Sequence, residues 1–162
     1  MGFSSMDILR LNWEVTLHYC EQLAMMAKAF KPDMIVGLSR GGLVPARILS
    51  DIMGVQELGV LGISFYKGMG MTADFPRITQ ELTMDLKGKR ILIVDDVADT
   101  GRSLVVAKDY LLRKGALEIK VATLHFKPTS EFKPDYFVDT TTAWIAYPWE
   151  RHEIERELGK KK

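Results

Sequence analysis

The chain has 162 residues, 47% hydrophobic and 27% charged, with 22 Lys plus Arg against 21 Asp plus Glu and a formal net charge of +1. That length suits one domain spanning residues 1–162 with a real core, and the near balance of charge argues against a long nucleic acid as main partner. Cys20 is the only cysteine, which excludes an internal disulfide and a cysteine-rich zinc site and points to a reducing, cytoplasmic setting; no apolar run reaches membrane-spanning length, and residues 1–10 lack the apolar stretch of a secretory leader.

No internal repeat or low-complexity segment interrupts the chain. Trp13, Leu17, Cys20, Ala24 and Ala27 recur at steps of four and three, predicting a helix over 13–30 with Asn12 as N-cap and a stop at Lys31-Pro32. Met34 to Leu38 suits a buried strand. A turn at Gly41-Gly42 leads into a helix over about 43–53, with Gly54 placed to end it. Leu58 to Phe65 reads as a strand. From Tyr66 to Arg77, Gly68, Gly70 and Pro76 among polar residues predict a long flexible loop, a candidate lid. Ile91 to Val94 is apolar on both faces, as a central parallel strand should be. A polar turn, Asp95 to Ser103, enters a helix carrying Leu104, Ala107, Leu111 and Leu112, closed by Arg113-Lys114-Gly115. Ile119 to Leu124 and Tyr136 to Val138 read as strands, Ala143 to Ala146 as another short one, and Glu150 to Leu158 as a closing helix. The Gly159 to Lys162 segment reads as a solvated tail. Alternating strands and helices imply an α/β fold with a mainly parallel central sheet, whose ligand site lies beyond the carboxyl ends of the strands.

Two strand ends therefore matter most. After Val94 comes Asp95-Asp96-Val97-Ala98-Asp99-Thr100-Gly101-Arg102-Ser103. Its last four residues stand where a helix begins, so unpartnered N–H groups and the helix dipole form a phosphate cradle. Gly101 permits close backbone approach, and the Thr100 and Ser103 hydroxyls can donate further bonds. Two carboxylates beside a phosphate site make sense for a vicinal diol, and phosphate plus diol describes a sugar phosphate. The bland alternative is a capped turn with Asp99 or Thr100 as N-cap; a cap needs one polar side chain, whereas three carboxylates gather here.

ILIVDDVADTGRS resembles the phosphoribosyl pyrophosphate motif of type I phosphoribosyltransferases. That resemblance implies the family's fold, with Asp95 and Asp96 on the ribose hydroxyls and Ala98, Asp99, Thr100, Gly101, Arg102 and Ser103 around the 5′-phosphate. Ser39-Arg40-Gly41-Gly42 resembles the family's pyrophosphate loop, with Arg40 suited to bidentate phosphate contacts and a cis peptide implied between Ser39 and Arg40. His125-Phe126-Lys127-Pro128 and Ala143-Trp144-Ile145-Ala146-Tyr147-Pro148-Trp149-Glu150 resemble the xanthine–guanine branch, whose C-terminal segment, here 125–150, forms a hood over the base. Carried over, Lys127 donates to purine O6, Trp144 stacks on the ring and the Ile145 backbone meets the edge near C2. Asp99 faces N7, a position that orotate enzymes have no use for.

The implied activity is transfer of a 5-phosphoribosyl group from phosphoribosyl pyrophosphate to a 6-oxopurine (hypoxanthine, guanine or xanthine), giving a nucleoside monophosphate and pyrophosphate, with Asp99, Arg40 and Lys127 as catalytic residues. Mg²⁺ is the implied cofactor, with Asp95, Asp96 and Glu150 as candidate ligands, and a homodimer or homotetramer the implied assembly. Lys67 is a further candidate for pyrophosphate, including across a dimer interface, or a surface lysine. Glu150 stands where the branch has aspartate, Ala146 where it has glutamate, and Arg102 where it has a small residue, so Arg102 either adds charge to the site or points to solvent. Trp149 either walls the base pocket or supports Trp144 from behind. His18 and His152 have no metal spacing, and His125 packs at a strand end. An adenine enzyme of related architecture and a non-catalytic regulator that binds phosphoribosyl pyrophosphate are the alternatives; a glutamine-dependent amidotransferase is disfavoured because no glutaminase domain fits.

Overall fold

The computed structural model describes residues 7–67 and 74–160. In chain order its elements are β1 (Ile8–Arg10), α1 (Trp13–Ala27), β2 (Met34–Ser39), α2 (Leu43–Met53), β3 (Glu57–Lys67) and β4 (Asp74–Gln80). They continue with β5 (Arg90–Ala98), α3 (Arg102–Arg113), β6 (Glu118–Phe126), β7 (Tyr136–Thr140), β8 (Trp144–Ala146) and α4 (Arg151–Gly159), with short 3-10 turns at Lys28–Phe30 and Pro148–Glu150. Six strands form the central sheet in the order β4-β3-β2-β5-β6-β7. Every pairing in it is parallel except β3 with β4. This is the expected α/β architecture.

The apolar run of β5 serves two layers because successive side chains point to opposite faces. Leu92 and Val94 join Cys20 and Leu23 of α1 and Leu49 of α2 on one face. Ile91 and Ile93 pack with Leu104, Ala107 and Leu111 of α3 on the other. These β5 residues are fully buried, and burying each such side chain contributes about 1.5–3 kcal/mol. The two layers therefore hold β5 rigidly, and its acidic tip inherits that rigidity.

Asn12 caps α1 as expected, its side chain accepting from the Val15 N–H at 2.8 Å. The buried stripe, however, is Thr16, Cys20, Leu23, Ala24 and Ala27, while Trp13 and Leu17 are 56% and 46% exposed. Thr16 can sit inside because its hydroxyl donates to the Asn12 carbonyl at 2.8 Å, and Trp13 instead leans on Trp149, 6.0 Å away between ring centroids.

Within the loop predicted over 66–77, the described residues lie in two antiparallel strands. Tyr66 and Lys67 continue β3, and Asp74 to Arg77 open β4, with Tyr66 opposite Phe75 and Lys67 opposite Asp74. Pro76 is compatible with a strand because β4 lies at the sheet edge. The loop's centre, with Gly68 and Gly70, and the Lys67 side chain lie outside the described residues, as do residues 161 and 162 of the predicted tail. A second sheet has two strands, β1 parallel to β8, with Ile8 opposite Trp144 and Arg10 opposite Ala146. The short strand near 143–146 was expected; its partner β1 was not, because three residues of mixed polarity carry no periodic signal.

Candidate active site

Parallel strands place their carboxyl tips along one edge. There β2 and β5 pair only as far as Gly37 opposite Val94, while β5 runs four residues further beside β6, with Asp95 opposite Thr123 and Ala98 opposite Phe126. A crevice opens between the free side of the β5 tip and the β2–α2 turn. It is a cavity of about 560 Å³ lined by Ser39, Arg40 and Gly41 from that turn and by Asp95, Asp96 and Asp99 from the β5 tip. Lys127, Trp144, Ile145, Tyr147, Trp149, Glu150 and Glu153 complete its wall. A larger concavity, about 760 Å³, lies at the opposite end of the sheet around Met25, Lys31, Asp33 and Met53; it holds none of the motif residues.

The acidic tip is held tightly. The Asp95 carboxylate accepts from the Asp96 N–H at 2.9 Å, and the Asp96 carboxylate accepts from the Val97 N–H at 2.7 Å. Burial, then repulsion from the Asp96 charge, pushes the Asp95 carboxyl well above the usual carboxylate range. Burial raises Asp96 too, although hydrogen bonding with the Asp95 side chain and then with neighbouring N–H donors lowers it in part. Glu150 is pushed up to about 7, first by burial and then by the Asp96 charge. Across the crevice, a Cβ on Gly41 would stand 2.3 Å from Asp96 Oδ2, so only glycine lets the turn approach this carboxylate. The Ser39–Arg40 peptide is cis, as the resemblance implied. Gly42 begins α2 against the sheet rather than lining the cavity. Arg40 reaches across the opening to Glu153, with bonds of 2.9 and 3.2 Å.

A smaller cavity of about 210 Å³ follows the turn into α3, lined by Asp95, Ala98, Asp99, Thr100, Gly101 and Ser103 among others. The N-cap is Gly101, at φ 82, and no side chain caps it. Among the described residues, Thr100 Oγ1 accepts from the Arg102 N–H, at 3.3 Å. The capped-turn alternative with Asp99 or Thr100 as N-cap is thereby excluded, and the start of α3 keeps N–H groups to offer an anion. The segment after β6 braces this turn: Glu131 N–H donates to the Thr100 carbonyl at 2.8 Å and Lys127 N–H to the Ala98 carbonyl at 3.0 Å. A Cβ on Gly101 would lie 2.5 Å from Ser130 Oγ. Arg102 takes neither expected direction. It donates to the Asp74 carbonyl at 3.2 Å and faces Glu131 at 3.6 Å.

Lys127, Asp99 and Trp144 meet as expected. Lys127 Nζ stands 3.6 Å from Asp99 Oδ1 and 5.8 Å from the centre of the Trp144 ring. The Lys127 side chain is 14% exposed and that of Asp99 59%. Trp144 shows 40% of its surface, while Ile145 beside it is buried. An ammonium, a carboxylate and an indole face around one opening can hold a flat, polar-edged ring.

Glu153 and Tyr147 carried no assigned role in the sequence, and His125 only that of packing at a strand end. Glu153 closes on Arg40 from α4, and nothing local in the sequence marks it. Tyr147 stacks on Trp149 with 4.8 Å between centroids and 5° between planes, and its hydroxyl donates to the Asp96 carbonyl at 2.9 Å. Trp149 therefore supports Tyr147 rather than Trp144, while also lining the cavity. His125, fully buried, bonds the Tyr147 hydroxyl at 2.8 Å; burial lowers it to about 4. The aromatic run 144–149 was the only signal that could have singled out Tyr147.

Residues 18–153 match the family model for the phosphoribosyl transferase domain. Among solved structures, a purine phosphoribosyltransferase of Pyrococcus horikoshii superposes with a TM-score of 0.82 at 43% identity, covering 89% of this chain and 94% of that one. A xanthine-guanine phosphoribosyltransferase of Idiomarina loihiensis is 29% identical over 94% of this chain and 92% of its own length. A hypoxanthine-guanine phosphoribosyltransferase of Streptococcus pneumoniae is 31% identical over 67% and 62% respectively. With the acidic β5 tip and the open start of α3 in place, these matches establish that the chain belongs to the phosphoribosyltransferase family.

Proposed function

We propose that this phosphoribosyltransferase acts in purine salvage, joining hypoxanthine, guanine or xanthine to phosphoribosyl pyrophosphate and releasing a nucleoside monophosphate and pyrophosphate. The observation that carries this is the Lys127–Asp99 pair, 3.6 Å apart beside Trp144. One purine edge presents O6, which accepts from an ammonium, next to N7, whose N–H donates to a carboxylate. An adenine amino group finds no acceptor on Lys127. The similarity to xanthine-guanine, hypoxanthine-guanine and purine enzymes agrees.

In this reading the amides at the start of α3, with Thr100 and Ser103, take the 5′-phosphate, and Asp95 and Asp96 take the two ribose hydroxyls. Ser39, Arg40, Gly41 and Gly42 take the pyrophosphate, for which Arg40 exchanges Glu153 for phosphate oxygens. Lys127, Trp144 and the Ile145 backbone orient the base under a hood formed by 125–150. A ring nitrogen of the base attacks the anomeric carbon, the bond to the pyrophosphate oxygen breaks, and Asp99 manages the proton at N7. Rate enhancement comes from positioning and electrostatics, since no covalent nucleophile is needed.

Mg²⁺ fits the donors present. The main cavity is lined by five carboxylates against Arg40 and Lys127, and both cations are already paired, so a polyanionic substrate needs added positive charge. Among the described residues no three acidic, His or Cys side chains converge on one point; Asp95, Asp96 and Glu150 would hold the ion together with water and substrate oxygens, as Mg²⁺ prefers. When bound, it neutralises charge on the departing pyrophosphate. The enzyme is proposed to work in the cytoplasm as a homodimer or homotetramer; among the described residues no helix is long and apolar enough to cross a membrane.

Pyrophosphate release measured with hypoxanthine, guanine, xanthine, adenine and orotate tests the proposal. Turnover with at least one 6-oxopurine and not with orotate is expected. Activity confined to adenine or orotate, or absent with every base, would overturn it.

A further inference from the structure

We propose that Tyr147 is a positioning residue for the ribose site, its phenol tying the Asp96 peptide to the wall that carries Trp144, so that sugar and base are held in mutual register. The proposal rests on the purine reading above for what the site binds. Its origin is a gap in the sheet. Beyond Val94 the β5 tip has no β2 partner, and a buried carbonyl without a partner is costly. The Asp96 carbonyl finds one in the Tyr147 hydroxyl at 2.9 Å. Tyr147 is 2% exposed and stands one residue after β8, whose first residue is Trp144. One hydrogen bond therefore joins the strand that holds the ribose carboxylates to the segment that holds the stacking indole.

The direction of the chain follows from what each atom can do. A carbonyl only accepts, so the phenolic proton is committed to Asp96. The Tyr147 oxygen must then accept from His125 Nδ1, at 2.8 Å. A neutral imidazole with its proton on Nδ1 has a bare Nε2, and Nε2 is the buried ring atom with no partner. Burial holds His125 in that neutral form. The face of Tyr147 is fixed by the stack on Trp149. The Asp96 backbone is thus fixed at its carbonyl by Tyr147 and at its N–H by the Asp95 carboxylate.

Tyr147→Phe deletes the one O–H and keeps the ring and its stack. With the tie gone, phosphoribosyl pyrophosphate still binds, within about three-fold by calorimetry, while kcat at 25 °C falls about ten-fold or more, the pattern of an interaction used for alignment rather than grip. His125→Phe, which removes the donor that orients the phenol, reproduces part of that loss; His125→Gln, which retains an N–H, restores some of it. The double variant Tyr147→Phe, His125→Phe is no slower than Tyr147→Phe alone, because both act through one hydroxyl. A lowered Tm with kcat within about two-fold of the parent, or losses that multiply in the double variant, would overturn the proposal. Should Tyr147→Phe not fold, the contrast between His125→Phe and His125→Gln decides. If the parent transfers to no purine, the functional reading fails by itself, and hydrogen exchange at the Asp96 and Val97 amides still tests the tie: exchange about ten-fold faster in Tyr147→Phe supports it, unchanged exchange refutes it.

Discussion

The two halves of the site are built by different means. The half proposed for the sugar phosphate is nearly continuous: Asp95 to Ser103 is one strand tip, one turn and one helix start, and much of what it offers is backbone N–H. The half proposed for the base is assembled from Asp99, Lys127, Trp144 and Ile145, with Tyr147, Glu150 and Glu153 behind or beside them, and what it offers is side chains. A half made of backbone depends on shape and close approach. A half made of side chains loses one interaction at a time.

That contrast can be broken by substitution. The largest effect is expected for Gly41→Ala. The new methyl meets the Asp96 carboxylate, and displacing a reacting group by about 1 Å costs roughly 100-fold, so kcat/KM for phosphoribosyl pyrophosphate should fall about 100-fold in a pyrophosphate-release assay. Loss below ten-fold would show that the two strand tips adjust to each other. Lys127→Ala comes next: a hydrogen bond to a charged group contributes about 1.5–3 kcal/mol, so kcat/KM for hypoxanthine should drop about 10- to 100-fold with sugar-phosphate binding retained. Equal losses in both would erase the distinction between the halves. Trp144→Ala removes a stacking surface worth about 0.5–1.5 kcal/mol beyond its burial, and the KM for the base should rise about three- to ten-fold with that for the sugar phosphate unchanged.

The smallest effect concerns pH. His125 is buried neutral, its pKa lowered from 6.5 to about 4. The unfolded chain binds that proton first, so this residue's contribution to stability is intact above pH 6.5 and is lost as pH falls from 6.5 toward 4. The raised carboxyls of Asp95, Asp96 and Glu150 act in the opposite sense, since their protonation on acidification relieves a folded-state penalty. Comparing melting curves of the parent and His125→Phe between pH 4 and 7 isolates the histidine: the fall in Tm on acidification should be smaller in the variant. An identical fall in both would place the acid sensitivity elsewhere.

The same contrast explains what could be read in the sequence. The β5 run, the acidic pair and the glycine at the start of α3 are adjacent, and local chemistry names their use. The α2 boundaries and the Gly41 turn were legible for the same reason. Trp144 and Lys127 were readable only through family resemblance, since nothing local connects residues 17 positions apart. Glu153 was not readable at all, because its contact with Arg40 spans 113 positions. The pairing of β3 with β4 was hidden by Gly68, Gly70 and Pro76, turn formers in sequence, of which Pro76 is tolerated because β4 lies at the sheet edge. The misplaced stripe on α1 shows that a repeat of three and four leaves the rotation of a helix open until the sheet fixes it.

The strand that carries Trp144 pairs with β1, and Trp144 N–H donates to the Asp7 carbonyl at 2.9 Å. Residues 8–10 thus wait for residues 144–146 before they can pair, and closing so long a loop is slow. A growing chain would complete the turn from Asp95 to Ser103 before it acquires the paired strand that carries Trp144.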